Sequence, residues 1–454
     1  MMPDPNRFAR VLGRREVIAL SFGAMIGWSW VLMTGVWVTS AGALGTLIAF
    51  ALGGLAITLI GLTYSELASA MPQTGGEHNY TMRALGPKWS FICTWALLFA
   101  YLNVCLFESV ALPTALEFLL PEIRLGTLWE VLGAEVDIGF VLVGAGSAAI
   151  MTWINYRGIR TAARFQSLVT VLILLSGALL ISGAAINGDL ANAQPLIASP
   201  ATGILTVLVM VPAMLVGFDV IPQSAEEIDL PQHLIGKLLA VSVGCAVLWY
   251  VAISASVGFA LNPAALGESD MATADAASSL WGSPLAGTLL VIGGIGGILT
   301  SWNAFIVGGS RVLFALGESG QIPAAFARLH PVHKTPYVGI ITIGVLSMLS
   351  PLFGRTILVW LINSGSFGVM VAFLFVTISF LVLRRTEPDL ERPFKVSHPN
   401  LVGWGGVLLS IALLSAFFPG SPSALAWPYE WFVILIWIAL GFAMYFIYGQ
   451  KRLR

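Results

Sequence analysis

The stretch EVIALSFGAMIGWSWVLMTGVWVTSAG (16–42) is long and apolar enough to cross a bilayer, yet Gly23 and Gly27 interrupt its middle. A spanning helix needs about 20 mostly apolar residues. Glycine costs a helix roughly 1 kcal/mol relative to alanine, so Gly23-Ala24-Met25-Ile26-Gly27 marks a point where the helix can unwind. In lipid such a break is tolerated only where the freed backbone meets protein or lines a cavity. A second stretch, TGILTVLVMVPAMLVGFDVIPQSA (202–225), repeats the device with Pro212, Gly217-Phe218-Asp219 and Pro222. Two interrupted apolar helices in matching halves of one chain are the mark of a secondary transporter. Half-helix ends meet near the midplane, where free N–H groups face an anion and free carbonyls a cation.

The rest of the chain fits this reading. Hydrophobic residues make up 57% of the sequence and charged residues 10%, with a mean hydropathy of +0.88, too apolar for a soluble surface. Apolar runs predict about twelve spans, at 16–42, 46–71, 90–119, 136–155, 163–186, 202–225, 235–261, 285–315, 337–353, 356–383, 401–419 and 429–449. The first run is too long for a signal-peptide core and is kept as a span. Of the 22 Lys and Arg, only Arg124 and Arg355 fall in loops on one side; the rest, including Arg7, Arg10, Arg14, Arg15, Lys451, Arg452 and Arg454, collect on the other. That asymmetry predicts two cytoplasmic termini.

The formal net charge of −1 gives no reason to invoke nucleic acid. Cys93, Cys105 and Cys245 lie far apart in apolar runs and read as packing residues; His78, His233, His330, His333 and His398 read as loop residues at spacings that match no metal motif. No GxxxxGK[ST] loop and no nucleophile–base set emerges, so the chain reads as neither an ATPase nor another enzyme, and implies no cofactor.

Glu108 and Asp219 fall deep within spans. A charge at the bilayer centre costs about 2.5–3.5 kcal/mol on insertion scales, so each is a candidate for proton coupling. The alternatives are a hydrogen-bonded carboxyl tying helices together for Glu108 and a cap on the carbonyls of the break for Asp219. Glu66 reads as a structural anchor to a nearby Arg or backbone group. Thr300 and Ser301 could offer hydroxyls to a sodium ion, although such pairs more often satisfy their own helix carbonyls. Gly293-Gly294-Ile295-Gly296-Gly297 reads as a close-packing segment. Trp28 and Trp30 sit beside the first break, where either could wall a pocket.

Several segments in the right order resemble the amino acid–polyamine–organocation superfamily of permeases: GAMIG (23–27), YSELASAMPQTGGEHNYTMRALGP (64–87), NYRGIRTAARFQ (155–166), GFDVIPQSAEEIDLP (217–231), SRVLFALGESGQIPAAFARLHPVHKTP (310–336) and Arg-Pro-Phe (392–394). The resemblance implies an all-α membrane protein with a leucine-transporter-like fold of two inverted five-helix repeats plus two C-terminal helices. The expected organisation is an N-terminal tail (1–15), repeats over 16–186 and 202–383, two further spans over 401–449, and a tail (450–454). It also implies a substrate site around Ala24, Met25, Ile26 and Gly27. The N–H groups of Trp28 and Ser29 would hold a carboxylate, and the carbonyls of Met25 and Val216, just before Gly217, an amine. Where many members have Ser-Gly after Ile-Gly, this chain has Trp28-Ser29. The position of a gating aromatic in some members is Ala213, for which Phe218 or Trp28 could substitute. A lysine found in span five of some sodium-independent members is replaced by Ile173.

The expected function is secondary active transport of an amino acid, a small-molecule partner met within the lipid bilayer, by proton coupling or exchange. The alternatives are an amine or polyamine permease and, from another class, a non-transporting sensor or a channel. Oligomeric state is not encoded in these features.

Overall fold

A computed structural model describes residues 8–269, 271–421 and 424–449. The first apolar stretch forms α1 (Arg14–Met25), α2 (Ser29–Leu32) and α3 (Thr34–Ala41), followed by α4 (Ala43–Ala70), the short α5 (Glu77–Leu85) and the long α6 (Pro87–Leu119). An antiparallel hairpin, β1 (Thr127–Val131) and β2 (Ala134–Asp137), leads into α7 (Ile138–Tyr156) and α8 (Ile159–Asn187). The second interrupted stretch gives α9 (Thr202–Met214) and α10 (Val220–Gln223). Then come α11 (Gln232–Ala260), α12 (Pro263–Glu268), α13 (Ala272–Trp281), α14 (Pro284–Glu318), α15 (Tyr337–Leu349), α16 (Ile357–Thr386), α17 (Pro399–Ser415) and α18 (Tyr429–Tyr448).

Eight of these helices are long and apolar enough to cross a membrane, and shorter apolar helices cover Thr202–Met214, Tyr337–Phe353 and Pro399–Ser415. Large apolar side chains such as Leu168, Leu248 and Phe432 are exposed on the outside of the bundle, as a lipid-facing surface requires. This is a multi-pass helical membrane protein.

Local chemistry sets the helix ends. Pro occupies the first turn of α6, α14 and α17, where its missing N–H costs nothing. Asp137 caps α7, its Oδ1 accepting from the N–H groups of Gly139 and Phe140. The 136–155 prediction therefore began too early, because residues 134–137 belong to the hairpin.

Contacts between loops define two ends of the bundle. At one end, the tail side, the N-terminal segment pairs with Ile228, Arg83 with Glu387, and Gln321 with the Pro87 carbonyl. At the other, the hairpin side, Trp129 donates to the Leu352 carbonyl and Arg355 pairs with Glu117. The deeply buried α14 packs on α1, α6, α8 and α13, whereas α18 lies at the rim.

Several assignments made from sequence resolve here. Glu66 is an anchor: it pairs with Arg384 and Arg392 and accepts from the Val396 N–H. His78 is not in a loop but buried in α5, its Nδ1 facing the hydroxyls of Thr94 and Ser90. Arg311, expected among loop charges, is buried inside α14 and doubly hydrogen-bonded to Glu227. Cys93 and Cys105 are buried, but Cys245 is exposed on α11 and does not pack.

Candidate functional site

The two predicted breaks are real and touch each other. Helix α1 stops at Met25 and α2 starts at Ser29; α9 stops at Met214 and α10 starts at Val220. Gly217, at φ +129°, sits so close to the first break that a Cβ there would lie 2.6 Å from Ala24 Cβ and 2.9 Å from the Met25 nitrogen. Only glycine meets both demands, a disallowed φ and a backbone at van der Waals contact. From the opposite side, a Cβ on Gly297 would lie 2.5 Å from the Gly27 oxygen, and one on Gly294 would run into the Trp28 ring. The glycine-rich segment of α14 thus serves close packing, and what it packs against is the first break.

A cavity of about 350 Å³ opens beside the breaks and extends toward the hairpin side, where Thr114, Arg355 and Leu358 line it. Of the residues singled out from sequence, Ala24, Met25, Gly27, Trp28, Ser29, Ala213, Val216, Glu108 and Ser301 face this cavity. Ile26, Gly217, Phe218, Asp219 and Thr300 do not line it. Phe218 instead packs on Tyr64 and Phe373, so of the two proposed stand-ins for a gating aromatic, Trp28 is the one at the cavity.

The backbone of the first break is polarised as half-helix ends should be. The N–H groups of Gly27 and Trp28 donate to no acceptor among the described residues. The Met25 carbonyl, expected to face a substrate amine, accepts from the Tyr250 hydroxyl at 2.9 Å, and Tyr250 also lies 3.0 Å from Ser29 Oγ. Its remaining lone pair is all that Met25 can offer a ligand. Tyr250 shapes the site yet carries no signal along the chain, because it sits in an ordinary apolar run on α11.

The two intramembrane acids occupy different settings. Glu108 Oε1 and Ser301 Oγ would lie 3.5 and 3.6 Å from a Cβ on Gly27, so both groups face the first break; Glu108 Oε2 has no hydrogen-bond partner among the described residues. Asp219 is fully engaged: Oδ1 accepts from the Gly217 N–H at 2.8 Å and Oδ2 from the Tyr101 hydroxyl at 2.6 Å. The alternative reading of Asp219 as a cap on carbonyls is corrected accordingly, since a carboxylate accepts, and here it caps an N–H. Thr300 donates to the Gly296 and Gly297 carbonyls of its own helix, the structural use of such hydroxyls.

A buried amide network also escaped the sequence reading. Asn155 donates to Asn303, Asn303 to Gln166, and Gln166 to the Ala19 carbonyl, tying α7, α14, α8 and α1 behind the site. The tail side is sealed. The N–H groups of Val11 and Leu12 donate to the Glu227 carbonyl, and Arg311, paired with the Glu227 carboxylate, lies over the Phe8 ring.

A family model described as amino acid permease matches residues 12–442. The chain belongs to the amino acid permease family. This permease is a member of the amino acid–polyamine–organocation superfamily and a transporter, not an enzyme. It is 29% identical to the branched-chain amino acid permease BcaP of Bacillus subtilis (strain 168), an alignment covering 98% of this chain and 94% of that one. It is 26% identical to the methylthioribose transporter of the same organism, over 98% and 94% of the two chains. It is 24% identical to that organism's glutamate/serine transporter AimA, over 98% and 83%.

Proposed function

We propose that this permease is a secondary active transporter of an apolar amino acid, working by alternating access in the plasma membrane with both termini in the cytoplasm. The observation that carries the reading is the cavity at the first break. Its wall is mostly apolar, from Met25, Trp28, Val104, Met214, Val216 and Phe305, and Ser29, Glu108 and Ser301 bring polar groups to it beside the first break. The unpaired N–H groups of Gly27 and Trp28 suit a carboxylate. The Val216 carbonyl, which accepts no hydrogen bond among the described residues, and Glu108 suit an ammonium group. Similarity to a branched-chain amino acid permease supports a side chain of that kind.

In this reading the structure is closed on the tail side and faces the hairpin side, the extracellular face by the distribution of Lys and Arg. Transport follows when the Arg311–Glu227 seam parts and the hairpin side closes over the substrate. Glu108, beside the ammonium position, is the group assigned to proton exchange with the substrate. The twelve-span, inverted-repeat organisation belongs to the same reading; the matched breaks of α1–α2 and α9–α10 support it.

An amine without a carboxylate is the second reading, because Glu108 offers a cation an acceptor whether or not an anion is present. Proteoliposome uptake of labelled leucine, competed with isobutylamine and isoamylamine, tests the two. Inhibition by leucine, isoleucine and valine but not by the amines is the expected result; the reverse overturns the amino-acid assignment.

A further inference from the structure

A second polar cluster lies on the tail side of the sixth-span break, around Glu77. Gly75 and Gly76, at φ +97° and +34°, press the start of α5 onto α10. A Cβ on Gly76 would lie 2.8 Å from Pro222 Cβ and 3.2 Å from Gln223 Nε2. The Gly75 N–H donates to the Gln223 carbonyl, and the Gln223 amide donates to Glu77 Oε2. Tyr64 of α4 stands edge-on to Phe218, its hydroxyl within electrostatic reach of both Glu77 and Asp219. Three helices, α4, α5 and α10, therefore converge on two buried carboxyls.

The second observation is independent of the acids' proximity. Gln223 Oε1 and Tyr80 Oη belong to fully buried residues and have no hydrogen-bond partner among the described residues, while the equally buried Tyr64 hydroxyl is placed to donate to Glu77. Buried polar atoms are nearly always satisfied, so a cluster of orphans marks a place where something binds.

Charge says what. The groups facing Glu77 are Tyr64, Tyr80, Cys93, Gln223 and Asp219, with Tyr101 behind Asp219; no cation acts on either carboxyl among the described residues. Arg311 is committed to Glu227, and the His78 ring turns to Ser90 and Thr94. Two ionised carboxyls in one dry site repel, and a single proton relieves the repulsion while converting an acceptor-only group into a donor.

We propose that Glu77 is a proton-binding site of the transport cycle, distinct from Glu108. The protonated Glu77 closes the α5–α10 seam, and loss of its proton to the tail side sets Glu77 against Asp219 and loosens that seam. The inference deepens the transport reading and rests on it.

The test is infrared spectroscopy of the purified full-length protein in liposomes, titrated from mildly acidic to mildly alkaline pH. A protonated-carboxyl carbonyl band that disappears as pH rises, is missing in E77Q and survives in E108Q, is expected. A wild-type protein without such a band, or an unchanged band in E77Q, overturns the proposal. Should E77Q not fold, Q223M serves instead: it removes the donor on Glu77 and must shift the band, and no shift counts against Glu77. In parallel, E77Q should lose at least tenfold of its gradient-driven accumulation; undiminished accumulation overturns the coupling role. Failure of the wild type to move leucine would refute the substrate assignment alone, because the carboxyl band is read without substrate.

Discussion

The two helix breaks were indistinguishable as motifs, each a glycine-marked gap in an apolar run, but they are solved in opposite ways. The first leaves the N–H groups of Gly27 and Trp28 unpaired at a cavity and keeps an acid, Glu108, beside it with a free oxygen. The second turns its acid inward: Asp219 takes the Gly217 N–H and the Tyr101 hydroxyl, away from the cavity, and the break leaves the Val216 carbonyl open at the cavity among the described residues. An interrupted helix is therefore not by itself a binding site. It becomes one when its freed groups are left unsatisfied at a cavity, and the companion break here adds the Val216 carbonyl while Gly217 holds it against the first.

That contrast can be broken most severely at the contact between the breaks. Gly217→Ala adds a Cβ into the Ala24–Met25 backbone at a φ that alanine rarely adopts, and should cost about 3 kcal/mol or more, seen as a large drop in the melting temperature of detergent-solubilised protein and loss of uptake. Asp219→Ala leaves the Gly217 N–H and the Tyr101 hydroxyl unpaired, an expected loss of about 1–3 kcal/mol in the same assay. Tyr250→Phe removes one donor from the Met25 carbonyl; about 1 kcal/mol of stability and a several-fold rise in the uptake KM are expected.

Glu108→Gln should leave the stability, read from the melting temperature, within about 0.5 kcal/mol of wild type, because its Oε2 bonds nothing among the described residues, yet flatten the pH dependence of uptake. If Glu108→Gln melts early while Asp219→Ala does not, the comparison is inverted. The smallest effect belongs far from both breaks. Arg83 donates to Glu387 at 2.9 Å on the exposed tail side, and this hydrogen bond holds the Glu387 carboxyl below its ordinary range. With the folded-state value depressed, the stabilisation is present at neutral pH and fades as pH falls through that value. Arg83→Ala should remove it at a cost below about 1 kcal/mol, shrinking further in high salt.

Membrane residence, the positions of the breaks and the cavity residues that the breaks contribute were legible because lipid imposes one-dimensional rules. Apolar length, glycine interruptions and buried charge are all visible along the chain. What escaped needed the third dimension. Tyr250, Tyr101 and the Asn155–Asn303–Gln166 network lie in runs whose apolar character hides one polar side chain among many neighbours. Asp219 and Glu108 look alike in sequence because both sit mid-span; only the partner across the bundle separates them. His78 and Glu77 were misjudged or passed over because the GGEHNY segment is too polar to read as buried, and its burial comes from α6 and α16 packing against α5.

The N-terminal segment has a consequence for how the protein is made. Leu12 pairs with Ile228, and Val11 and Leu12 donate to the Glu227 carbonyl. Val11 and Leu12 must therefore wait, without this partner, until the segment after α10 has been translated. The contact is thus a late event of biogenesis, and a chain arrested before residue 228 should hold the segment around Val11 and Leu12 open to protease.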